Sequence, residues 1–188
     1  MSQGGKSRTT GKLAGTLAAP IARPRRDEIG AREFEDFYAV EYPKVMRGVV
    51  MAVGSIEIAS DATQEAFKRA FMRWSRLRDK PWRGGWVMTT ALNHCRRHLR
   101  RESMSRRFTS EAGTVSHGPV EERIDLVRGL RQLPFRQRQA LILFYLGDLP
   151  LPTVAELMKI SEGAVKSHLA RARAALREAL EVADAPRT

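Results

Sequence analysis

A single cysteine, Cys95, stands in a chain of 188 residues. An internal disulfide is therefore excluded, and so is a cysteine-rich zinc site. No apolar run approaches the ~20 residues needed to cross a bilayer, and the opening, MSQGGKSRTTGKLAG, has no apolar core of signal-peptide length. These absences predict a cytoplasmic protein without membrane insertion. Strand-like alternation of polar and apolar residues is missing throughout, as are a phosphate-cradling glycine loop, an HExxH pair and a nucleophile elbow. The four histidines form no strong metal pattern. His94 and His98 could share a helix face, but they sit in HCRRHLRR, where the arginines disfavour a second cation. No metal, cofactor or catalytic group is expected, and hence no enzyme.

Acidic residues are also in short supply. Lys and Arg number 33 against 21 Asp and Glu, a net charge of +12. Such an excess points to a polyanionic partner, nucleic acid first and an anionic membrane surface second.

What is present is helical periodicity, arranged around Thr153 to Leu180. Val154, Ala155, Leu157 and Met158 give a first helix its apolar side, Lys159 and Ile160 make a turn, and Ser161 is a suitable N-cap for a second helix. There Val165, Leu169, Ala172, Leu176 and Leu180 fall on one line of a 3.6-residue period. Turned away from that line are Gly163, Ala164, Lys166, Ser167, Ala170 and Arg171. Small residues allow close backbone approach and the cations answer phosphate, the composition of a helix-turn-helix whose second helix enters a major groove. The ordinary alternative is a helical hairpin with a solvated basic face.

In chain order, residues 1–32 read as a mobile basic arm. A helical domain follows over 33–102. Its first helix carries Phe34, Phe37, Tyr38, Tyr42, Val45 and Val49, with Pro43 as a kink or restart. A second, about Ile58 to Leu77, buries Ala59, Ala62, Ala66, Phe67, Ala70, Phe71 and Trp74 and turns Asp61, Gln64, Glu65 and Lys68 outward. That acidic-polar face on a basic protein suits a protein partner, though solvated faces of this kind are common. A third helix, Trp86 to about Glu102, buries Met88, Ala91, Leu92, Cys95 and Leu99. With the loop before it, it displays Lys80, Trp82, Arg83, Asn93, Arg96, Arg97 and Arg100, and cations beside flat rings are what unpaired bases and their phosphates require. Residues 103–120 read as a flexible linker, 121–181 as a second helical domain and 182–188 as a tail. The second domain includes a helix from Phe135 to Leu146 with Ala140, Leu141, Phe144 and Tyr145 in its core. The fold expected is all-α, two small domains joined by a linker.

Taken together these pieces resemble the extracytoplasmic-function (ECF) group of the bacterial sigma-70 family. In the first domain the resemblance rests on ASDATQEAFKRAF followed by WVMTTALNHCRRHLRR. In the second it rests on LRQLPFRQRQALILFYL followed by VAELMKISEGAVKSHLARARAAL. The resemblance implies that Asp61, Gln64, Glu65 and Lys68 meet core RNA polymerase. It implies that Lys80, Trp82, Arg83, Asn93, Arg96, Arg97 and Arg100 hold the unwound minus-ten element of promoter DNA. Glu162, Gly163, Ala164, Lys166, Ser167 and Arg171 would read the minus-thirty-five duplex, and an anti-sigma factor is an implied further partner. Against the family pattern, Lys159 replaces a turn glycine, Thr153 a glutamate and Pro150 a serine-like cap. Ala164 and His168 replace frequent threonine and arginine. The competing reading is a free-standing helix-turn-helix regulator that binds only duplex DNA.

Overall fold

The computed structural model describes residues 26–106 and 128–183. The arm before residue 26, the linker reading at 107–120 and residues 184–188 lie outside them. Every regular element among the described residues is helical, in agreement with the all-α expectation.

Helix α1 (Arg26–Val53) begins inside the stretch read as an arm and runs through Pro43 without ending there. It stops at Gly54, whose φ of +71° is left-handed backbone that glycine adopts without a steric penalty. Ser55 then caps α2 (Ile56–Met72), its hydroxyl accepting the Ile58 N–H at 3.3 Å. Ala59, Ala62, Ala66 and Ala70 form the buried side of α2. Small side chains let its axis lie close to α1 and α4. The short α3 (Trp74–Leu77) follows a break at Arg73. The Phe37 and Trp74 rings lie 4.9 Å apart between centroids at a tilt of 35°, and Phe34 and Trp74 meet in a T-shaped arrangement at 5.2 Å. Helix α4 (Arg83–Arg106) starts earlier and ends later than the periodicity suggests. Its Val87, Met88, Ala91, Leu92 and Cys95 close the core. Thr89, a polar residue beside that line, is buried as well.

The break at Arg73 changes one detail. A continuous helix would carry Phe71 and Trp74 on one buried side. With the chain redirected, Trp74 turns inward while Phe71 and Met72 remain 55% and 66% exposed.

In the second domain, helical turns at 128–132 lead through Pro134 to α5 (Phe135–Leu141). A π-helical turn, Ile142–Leu146, continues α5 and ends at Gly147, whose N–H donates to the Ile142 carbonyl at 3.0 Å. A Cβ at Gly147 would lie 2.5 Å from the Leu143 carbonyl oxygen, so only glycine fits. The wider turn shifts the helical register. Ile142 and Leu143 are buried, and Tyr145, expected in the core, is 51% exposed.

Helices α6 (Leu151–Met158) and α7 (Glu162–Ala183) make the helix-turn-helix. Lys159 closes α6 in the left-handed region, φ 55° and ψ 51°, and Ile160 N–H reaches back to the Ala155 carbonyl at 3.1 Å. A side chain in that conformation costs roughly 1–2 kcal/mol relative to glycine. Lys159→Gly is therefore expected to stabilise the fold by about 1 kcal/mol, read as a higher urea midpoint at unchanged slope. A lower midpoint would mean that the ammonium contributes more than the strained backbone costs.

The two domains do not stand apart. One apolar core joins Val49, Leu92 and Cys95 of the first to Ile142, Leu143, Val154 and Met158 of the second. Gly48 lets Ile142 approach: a Cβ there would sit 3.1 Å from the Ile142 Cγ2. A smaller cluster of Leu130, Leu133 and Ala172 supports the second domain from within.

Candidate nucleic-acid interface

Three surfaces carry the candidate residues. On α2, Asp61, Gln64 and Lys68 are exposed along one face, as their spacing predicts. Glu65 is half-buried and bonded to Arg69 at 2.7 Å, which holds its carboxyl below the ordinary range. Phe71 and Met72 continue this face toward the end of the helix. The sequence pattern placed Phe71 inside with Trp74, and the break at Arg73 that parts them leaves no mark in the apolar spacing. The surface is thus polar at one end and apolar at the other, a mixture suited to a protein partner.

The second surface is built on the start and outer side of α4. Lys80 is exposed, while Trp82 is half-buried with its indole packed on the core. Arg83 lies over the Phe37 ring at 5.6 Å, and Arg73 over Trp86 at 5.8 Å. Trp86 is thereby a packing residue. Arg97 and Arg100 are exposed further along α4. Asn93 and Arg96 are half-buried, because the second domain covers them. The Asn93 Oδ1 accepts from the Gln139 Nε2 at 3.5 Å. One hollow is lined by Asn93, Arg96 and Arg97 of α4 together with Arg136, Leu157, Met158 and Lys159 of the second domain. Burial, then Arg136, Arg100 and Arg97, lower the pKa of Arg96. The cations across this contact oppose one another.

The third surface is the start of α7. Ser161 Oγ accepts the Ala164 N–H at 3.2 Å and fixes the N-terminus. Glu162, Gly163, Lys166 and Arg171 are exposed, and Ala164 and Ser167 are half-exposed. A Cβ at Gly163 would meet only the Ser161 Oγ, at 4.0 Å, so the backbone here stands open to a groove. Arg136 donates to the Met158 carbonyl at 3.2 Å and holds α6 against α5.

Two groups were invisible to periodicity. Arg138, 8% exposed, donates to the carbonyls of Ala52, Arg131 and Leu133, the last two at 2.7 and 2.9 Å. Burial and then Arg131 bring its pKa down to about 10. Gln139 beside it is fully buried. Cys95 is fully buried too, its thiol pushed up to about 12 by burial, so it is a packing residue and not a reactive one.

His94 and His168 both have lowered pKa values, chiefly from burial, then from Arg97 and Arg171 respectively. A folded-state pKa below the ordinary histidine value of about 6.5 means that the unfolded chain takes up protons first. Stability from these sites is full above that value and declines as pH falls through it toward the folded-state pKa. Relative to wild type, His94→Gln with His168→Gln should lose less of its melting temperature between neutral and mildly acidic pH. Parallel pH profiles would show that neither imidazole is held neutral.

The arrangement defines an all-α protein with a helix-turn-helix on one domain and a basic, indole-bearing helix on the other. Helix-turn-helix proteins of this kind bind DNA. Models for Sigma-70 region 2 and Sigma-70 region 4 match residues 37–104 and 123–176 respectively, and the chain belongs to the sigma-70 family, in its ECF group. It is 27% identical over 151 residues to the ECF RNA polymerase sigma factor SigM of Bacillus subtilis, spanning 76% of this chain and 92% of that one. It is 26% identical over 165 residues to SigW of the same organism, spanning 78% and 88%. The fold is similar to that of the sigma factor RpoE solved with the anti-sigma factor NepR from Bartonella quintana. The TM-score there is 0.71 at 20% identity, over 80% of this chain and 98% of that one. CnrH, solved with the cytosolic domain of CnrY, aligns at a TM-score of 0.60 and 21% identity, over 84% and 97%. Among the described residues no helix is long and apolar enough to cross a membrane.

Proposed function

We propose that this chain is a promoter-specificity subunit of bacterial RNA polymerase, acting in the cytoplasm and without catalytic chemistry of its own. It binds core polymerase, directs it to particular promoters and helps to melt the minus-ten element. The observation that carries this reading is the pairing, on one chain and in family order, of an α4 bearing Trp82, Asn93 and arginines with a separate helix-turn-helix. A regulator of closed duplex has no use for the first. A protein of similar fold solved with an anti-sigma factor supports a partner of that kind here.

Roles divide by surface. Asp61, Gln64, Glu65 and Lys68 dock on core polymerase, with Phe71 and Met72 adding apolar contact. Lys80, Arg83, Arg96, Arg97 and Arg100 neutralise phosphates of the unwound strand while Trp82 and Asn93 meet its bases. Glu162, Gly163, Ala164, Lys166, Ser167 and Arg171 face the minus-thirty-five duplex. The test of the whole reading is run-off transcription with core polymerase on genomic fragments, with the start sites mapped.

Docking has its own test. Asp61→Lys with Glu65→Lys should reduce capture of core polymerase while leaving the melting temperature almost unchanged. Asp61 is exposed, and the Glu65–Arg69 pair is a surface ion pair of the kind that stabilises little. Undiminished capture by the double variant would remove α2 from the docking site.

A further inference from the structure

We propose that the hollow between α4 and the C-terminal end of α6 is a binding site for a small condensed phosphate, an anion of two or more linked phosphoryl groups. Asn93, Arg96 and Arg97 fall at helical spacings on α4 and so share one face, which lines the hollow. Arg136 and Lys159 reach it from the second domain, and Leu157 and Met158 wall it. Four cations and an amide thus meet, and no carboxylate among the described residues lines the hollow. A phosphoryl group carries about −1.5 to −2 charges at neutral pH, so a linked pair answers four cations where a single group does not. The apolar wall strengthens that attraction by excluding water from one side.

Two side chains are held in states that an anion explains. The Arg96 Nε–H is buried and has no hydrogen-bond partner among the described residues, an arrangement that is costly until an acceptor arrives. Burial, then Arg136, Arg100 and Arg97, depress the pKa of the same guanidinium. The positive field extends to His168, depressed by burial and then by Arg171 and Arg136. Lys159 sits in left-handed backbone, φ 55°, where glycine would be unstrained. Strain of that kind persists at sites of function, and here it sets an ammonium at the rim. Arg136 is fixed beside it by its bond to the Met158 carbonyl at 3.2 Å. Because the function proposed above gives Asn93, Arg96 and Arg97 to the unwound strand, a filled hollow withholds them from it. That consequence, unlike the site itself, rests on that reading.

The experiment is titration calorimetry on the full chain with pyrophosphate, orthophosphate and sulfate, in magnesium-free buffer at about 0.15 M salt, where attraction to the chain's overall charge is screened beyond about 8 Å. Pyrophosphate is expected to bind about ten-fold more tightly than either single anion, and Arg136→Gln and Lys159→Gly should each remove about that factor, the effect of losing one hydrogen bond to a charged group. Arg76→Gln, at an exposed position on α3, should leave binding unchanged. Lys159→Gly is the decisive variant, because it is expected to fold more stably while binding less, so its loss of ligand is not a loss of fold. Equal affinity for the three anions overturns the site. So does a pyrophosphate affinity that neither Arg136→Gln nor Lys159→Gly changes. Tripolyphosphate and a nucleoside triphosphate distinguish the sources of the phosphate chain: tighter binding of the nucleotide makes a nucleotide the ligand, and equal or weaker binding makes it a free condensed phosphate. If pyrophosphate binds through Arg136 and Lys159 yet never displaces a labelled thymine-rich strand, the anion site stands and the assignment of Arg96 and Arg97 to the strand is what fails.

Discussion

Replacing Trp82 and Asn93 together by alanine is expected to leave closed-promoter binding by the holoenzyme nearly intact while impairing strand opening. A base stacked on an aromatic contributes about 1–3 kcal/mol, which converts to roughly five- to 150-fold in affinity for the unpaired strand. The structure refines where in that range each residue falls. Trp82 is half-buried, so only part of its ring is available to a base, and truncation also removes packing on the core. The single variant Trp82→Phe separates the two, since it keeps an aromatic face with less bulk. The Asn93 Oδ1 accepts from Gln139, so the proposed base contact requires that bond to break. Gel shift on the closed promoter and thymine reactivity on the melted one measure the two halves of the expectation. Opening at the wild-type rate would take this surface out of single-strand contact.

The second large effect lies on α7. Lys166→Ala with Arg171→Ala should weaken binding to a minus-thirty-five duplex and flatten its salt dependence, the slope of log affinity on log salt falling by about 0.9 for each phosphate no longer neutralised. Both side chains are exposed on the side of α7 away from Val165, Leu169 and Ala172, so neither supports the core and folding should be unaffected. The start of the helix is where base reading is expected. Ser161 caps it, Gly163 leaves its backbone open, and Ala164 and Ser167 present small side chains. An unchanged salt slope in the double variant would mean that these cations face solvent.

Most of the local architecture was legible because short-range rules decide it. The line of Val165, Leu169 and Ala172 was visible as a period and is buried as a line. Ser161, read as an N-cap, accepts the Ala164 N–H at the start of its helix. The exposed row on α2 followed from the alanines opposite it. What periodicity missed comes from places where the period itself changes. The break at Arg73 parts the exposed Phe71 from the buried Trp74, and Tyr145 lies exposed within the π turn at Ile142–Leu146. The third omission is long-range. A sequence read helix by helix treats Arg138 as another surface cation, since its Ala52 partner lies far off in the chain. For the same reason Asn93 and Arg96 were read as open, and only the packing of one domain on the other shows them covered.

The central claim is that this chain, with core polymerase, opens a promoter. The most direct measurement is permanganate reactivity of promoter thymines with the wild-type protein and core polymerase, on the fragments whose start sites run-off transcription has mapped. The account predicts reactive thymines confined to the minus-ten region and extending toward the start site, dependent on both components and diminished in the Trp82 and Asn93 double variant. Duplex binding that never yields a reactive thymine with core polymerase present would contradict it, and would return the chain to the class of regulators that read closed DNA.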